Sequence, residues 1–143
     1  MDKYRDRLDL YFIKENVTPH EHAMQKYLHK LDIINIPKIL HYDPETRCMV
    51  MARVNGMSVS DMYGEDVKNV PNKIYNKIVD IMRILILFNV CYPDFTGYNF
   101  IIENKTKKIW IIDFEHAYCE SEISNKFVLS ILDGKKMWNS EFA

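Results

Sequence analysis

Residues 92–117, YPDFTGYNFIIENKTKKIWIIDFEHA, decide the reading of this chain. Two apolar runs, 100–102 and 109–112, flank a polar turn at 104–108, the pattern of two strands joined as a hairpin. An antiparallel return around that turn predicts Phe100 opposite Ile112, Ile101 opposite Ile111 and Ile102 opposite Trp110. Asn99 then faces Asp113 at the open end, and Asp94, on a loop containing Gly97, curls over the same end. A carboxylate and a carboxamide supply hard oxygen ligands that suit magnesium. A second carboxylate nearby suits the orientation of a hydroxyl and acceptance of its proton. Phosphoryl transfer uses such a set, together with a cation for the phosphates.

Working outward, residues 7–14 alternate in the period of a strand that ends at Lys14. Thr18 and Pro19 then mark a helix start, and Met24, Tyr27, Leu28 and Leu31 recur on one face, with Glu21 on the same side. Glu21 has two partners within reach, Lys14 and, through the pattern Thr18-x-x-Glu21, the backbone of the helix start. Segments 37–43 and 47–54 form a second predicted hairpin, closed by Asn55-Gly56. A short helix follows Ser58, and a long one follows Pro71. From 74 to 90 that helix is so apolar that burial on all sides is expected, with its end before Tyr92-Pro93. Residues 123–136 read as a last helix with Gly134 as its stop.

In this order the residues resemble the protein-kinase-like superfamily, in the minimal form shared with aminoglycoside-phosphotransferase-type enzymes and the small atypical kinase of the KEOPS complex. Lys14 of YFIKE resembles the strand lysine and Glu21 its helix partner. MVMARVNG, 49–56, resembles the hinge, which implies Met51 as gatekeeper with the Ala52 carbonyl and Val54 amide facing adenine. Asp94 and Asn99, in D-x-x-x-x-N, resemble the catalytic aspartate and a metal-binding asparagine, and Asp113 of IIDFEHA resembles the second metal ligand, the DFG aspartate.

The resemblance implies an α+β, reduced two-lobed fold: a small antiparallel sheet in an N-terminal lobe, 1–54, and a helical C-terminal lobe with the catalytic hairpin, 55–143. It further implies ATP and magnesium as cofactors and a protein or small-molecule hydroxyl as acceptor. Several features depart from the family. A glycine-rich loop is not expected, since thirteen residues precede Lys14. Tyr92-Pro93 stand where His-Arg is usual, and Glu115 takes the third position of DFG. Thirty residues after Asp113 leave no room for a long activation segment, which favours small or externally docked acceptors. These departures motivate an alternative, a pseudokinase or truncated kinase mimic that regulates a protein partner.

Composition sets the remaining bounds. A chain of 143 residues, 48% hydrophobic and 27% charged, fits one domain with its own core. A net charge of -1 gives no strong pull towards nucleic acid or an anionic membrane. Cys48, Cys91 and Cys119 are too scattered for a disulfide framework or a repeated zinc motif. The charged N-terminus lacks a signal-peptide pattern, and Arg83 interrupts the longest apolar run, so a cytoplasmic protein is expected. Abundant Ile, Asn, Lys, Tyr and Met fit AT-rich coding, and in a viral source the host cytoplasm. His20, His22, His29 and His41 are expected on polar faces, and Glu115, His116 and Cys119 lack a matching metal-ligand set. Met49, Met51, Met57 and Met62 suit either a nucleotide pocket or core filling.

Overall fold

A strand persists only as far as a neighbour can pair with it. In the computed structural model, which describes residues 2–142, α1 (Asp2–Arg5) precedes a run of turns that takes the start of the expected strand, and β1 is confined to Tyr11–Lys14. The amides of Leu10 and Tyr11 turn back to the Arg7 carbonyl, and Leu8 and Leu10 stay exposed. Their alternation has no sheet face to cover it. After α2 (Pro19–Leu31), β2 (Ile39–Asp43) and β3 (Cys48–Ala52) form the expected hairpin, and β1 adds to the other side of β3 in the antiparallel order β1-β3-β2.

The Thr18 hydroxyl caps α2 by accepting from the Glu21 amide at 3.1 Å, and Asp32, at φ 53°, ends the helix. Glu21, Met24, Gln25 and Leu28 form its buried stripe, whereas Tyr27, expected inside, is exposed. The chain continues through β4 (Gly56–Ser58) into α3 (Val59–Tyr63), where the Ser58 hydroxyl accepts from the Asp61 amide.

The long helix α4 (Asn72–Leu87) corrects the expectation of burial on all sides. Tyr75, Ile78, Val79, Ile81, Met82 and Leu85 are buried, but Lys73, Asn76, Lys77, Asp80 and Arg83 make a solvent-facing polar stripe. Three- and four-residue spacing of those polar side chains, rather than the apolar total, sets the face. Asn89, at φ 61°, turns the chain into β5 (Val90–Cys91), so the helix stops short of the predicted end.

Next comes the hairpin of β6 (Phe100–Glu103) and β7 (Ile109–Ile111), with β4 on the far side of β6. Its register is one residue tighter than expected: Phe100 pairs with Ile111, Ile101 with Trp110 and Ile102 with Ile109. Lys107 adopts φ 61° and Glu103 donates its amide to Lys108, which draws Lys108 out of the turn and into the ladder. This register sets buried Phe100 and Ile102 across from buried Ile111 and Ile109, and a one-residue slip would lose that match. Asn99 therefore faces Ile112, whose amide donates to the Asn99 carbonyl, and Asp113 lies one step beyond the ladder.

β8 (Tyr118–Cys119) pairs with β5, and α5 (Lys126–Leu132) is followed by Gly134 at φ 99°. The larger core joins Met24 and Leu28 of α2 to α4, the β6–β7 hairpin and α5, while a small cluster of Val17, Met49 and Met51 lies under the β1-β3-β2 sheet. The architecture is α+β, with small antiparallel sheets and helices. No described helix is long and apolar enough to cross a membrane.

Candidate active site

Lys14 ends β1 with its ammonium 2.5 Å from Glu21 Oε2 on α2 and 3.4 Å from Asp113 Oδ1 beyond β7. Three elements thus meet at one cation. With the Thr18 hydroxyl capping the helix, the Glu21 carboxylate turns to Lys14. Burial opposes the charge on Lys14, yet Glu21 and Asp113 outweigh it and raise the ammonium pKa. Burial, joined by the nearby Asp113 and Glu115, raises the Glu21 carboxyl pKa against the opposing pull of Lys14.

Asp113 adopts φ 67°, a left-handed conformation that aspartate tolerates better than bulkier residues. The turn leaves its carboxylate facing Lys14 while the next side chain, Phe114, is fully buried. Phe114 packs against Tyr92, whose hydroxyl donates to the Ile112 carbonyl at 2.5 Å. Complete burial pushes the Tyr92 pKa well up, so the ring serves as a neutral tie between the loop and the end of the hairpin.

On that loop, the Asn99 amide nitrogen donates to the Asp94 carbonyl at 2.8 Å, which occupies the nitrogen end of the side chain. Asp94 is 4% exposed, and its Oδ2 lies 2.8 Å from His116 Nδ1. Burial raises the Asp94 pKa against the opposing hydrogen bond from His116, whose own pKa is raised first by Asp94. His116 is a partner that sequence reasoning missed. So is His20, whose Nε2 lies 2.6 Å from the Ala117 carbonyl and ties the start of α2 to the segment after Asp113. Its signal was only its place beside Glu21.

A cavity of about 360 Å³ runs from these charges along the β3–β4 connection. Lys14, Glu21, Met51, Ala52, Val54 and Asp113 all line it, whereas Asp94 and Asn99 lie on the adjoining loop. Its size is that of a small-ligand pocket, with charge at one end. Among the described residues the Val54 amide has no backbone partner. Met51 thus borders the cavity, Met49 fills the small core, and Met57 and Met62 are exposed. Carboxylate oxygens of Glu21, Asp113 and Glu115 lie within 4.8 Å of one another, a hard donor set for a divalent cation.

Among curated proteins no relative matches this chain. Of solved structures, it is similar to the Cydia pomonella Granulovirus kinase PK-1, with a TM-score of 0.58 and 16% identity over 76% of this chain and 43% of that one. The chain spans less than half the length of that kinase, and at this identity the likeness shows a kinase-like fold. A family model described as RIO domain matches residues 3–130, from α1 into α5 and across every residue of the site above. With that match over most of its length, the chain belongs to the RIO domain family of atypical protein kinases.

Proposed function

We propose that the chain is a Mg-ATP-dependent phosphotransferase that moves the γ-phosphoryl group of ATP to a hydroxyl on a protein or small molecule. The observation that carries this reading is the Lys14 ammonium held between Glu21 and Asp113 at the charged end of an otherwise largely apolar cavity. Adenine would lie against Met51, with the Ala52 carbonyl and the Val54 amide as its backbone partners, between an N-terminal part ending near residue 54 and the remainder. Lys14 would hold phosphate oxygens, with Glu21 as its orienting partner. Asn99 and Asp113 offer amide and carboxylate oxygens that would hold magnesium, which when bound would offset the charge of the phosphates.

Asp94 would orient the acceptor hydroxyl and take its proton as that oxygen forms a bond to the γ-phosphorus and ADP leaves. Electrostatic positioning supplies the catalysis, with no covalent enzyme intermediate. Three free cysteines suit a reducing cytoplasm, that of a host if the source is viral. Calorimetric titration with ATP, with and without magnesium, tests the reading beside Asp113→Asn. Magnesium-dependent binding that the variant loses is the expected result; equal binding by both proteins sinks the metal assignment. Glu115, beside Asp113 and Glu21, is the observation behind the alternative of a partner-binding pseudokinase, which predicts no nucleotide binding in any condition.

A further inference from the structure

The carboxylate of Asp94 is almost wholly buried, and a buried carboxylate needs donors to replace lost water. Its Oδ2 meets one, His116 Nδ1 at 2.8 Å, while among the described residues its Oδ1 has no side-chain partner. His116 comes three residues after Asp113, so the turn that aims Asp113 at Lys14 also brings the imidazole to Asp94. On the ring's other contact, Phe142 packs with centroids 4.7 Å apart and planes tilted by 41°. The imidazole is held by a hydrogen bond at one place and an aromatic ring at another.

We propose that His116 is a positioning residue that occupies Oδ2 of Asp94 and leaves Oδ1 directed to the acceptor hydroxyl. A carboxylate free to rotate would present either oxygen, and misplacement of a reacting group by an ångström costs up to about 100-fold in rate. The hydrogen bond requires a proton on Nδ1, which fixes the neutral tautomer and leaves Nε2 as the ring's free nitrogen. The catalytic part of this assignment rests on the phosphotransfer reading; the pairing itself does not.

Two measurements test it. The first is the ¹⁵N spectrum of the His116 imidazole in the full chain and in Asp94→Asn, with neither nucleotide nor acceptor. A protonated Nδ1 whose shift moves in the variant is expected, and a neutral ring protonated on Nε2, or a spectrum indifferent to the variant, overturns the pairing. The second compares phosphotransfer by His116→Ala and His116→Asn, since the asparagine amide can place a donor near the Nδ1 position. Loss of kcat of about 10- to 100-fold in His116→Ala, with KM for ATP within about twofold and recovery in His116→Asn, is expected. Equal loss in both variants, or a fall confined to thermal stability, overturns the positioning role. An inactive wild type overturns the phosphotransfer reading, and the spectra then decide the pair by themselves.

Discussion

The sheet that carries Lys14 and the loop that carries Asp94 are held by different forces. Beneath the β1-β3-β2 sheet the buried apolar cluster among the described residues is Val17, Met49 and Met51, and Phe12 on the edge strand is 43% exposed. Lys14 takes its place from two carboxylates on other elements. Around Asp94, by contrast, residues 92–97 are all buried. Phe95 touches the rings of Tyr75, Phe100, Phe127 and Trp138 at centroid distances between 5.4 and 5.9 Å. Asn139 brackets the loop: its side chain donates to the Pro93 carbonyl and its amide to that of Phe95, both at 2.8 Å. Charge places the lysine, and packing places the aspartate.

The largest effect should come from breaking the packed side. Phe95→Ala removes a fully buried ring from this aromatic cluster and should cost about 3–5 kcal/mol in denaturant unfolding. A cost below about 1 kcal/mol would show that the loop does not depend on its aromatic packing. On the charged side the loss should fall on activity first. Lys14→Met should lower phosphotransfer by about 100- to 1000-fold. It should also destabilise the fold by about 2 kcal/mol, because Glu21 is left buried without its partner. Adding Glu21→Gln should restore most of that stability and none of the activity. Were the double variant as unstable as Lys14→Met, charge would not be what holds this end of β1.

The same contrast explains what was legible in the sequence. Asp94, Asn99 and Asp113 stood out because each lies in a short stretch whose spacing has a chemical reason, whereas Lys14 by itself gave little signal. Glu21 was visible as a candidate, but its capping and pairing roles are both local patterns, and only the fold shows the carboxylate turned to Lys14. The hairpin was legible as a hairpin and wrong by one residue, since the left-handed Lys107 that tightens the turn has no distinctive side chain. α4 was misjudged by counting apolar residues without following the arc on which its polar ones fall. The pairing of His116 with Asp94 was not legible, because the two lie 22 residues apart in sequence and meet only after the hairpin closes. Contacts within one turn of chain can be read directly; a contact made by two loops requires the core that brings them together.

The smallest predicted effect tests the junction between the packed loop and the polar groups around it. His116 faces Asp94, Asp113 and Glu115, and its pKa is raised above the ordinary 6.5, first by the hydrogen bond to Asp94 and against a desolvation cost. The stability it contributes is fully present below 6.5 and is lost as pH rises through the folded value. Asp94 and Glu21, both raised by burial, act in the same sense, losing their contributions as pH rises from their ordinary values of 3.8 and 4.5 through the folded ones. His22, lowered by burial, acts oppositely and does so below 6.5. Above pH 6.5 the weakening of the His116 pair should therefore lower the thermal midpoint as pH rises. Since the His116 side chain is 45% exposed, solvent screening keeps its worth below about 1 kcal/mol, or on the order of 2 °C. His116→Asn retains a donor but cannot take the charge, so calorimetric scans of this variant should lose that slope. A slope that survives the substitution would place the titrating group elsewhere and leave packing alone to hold Asp94.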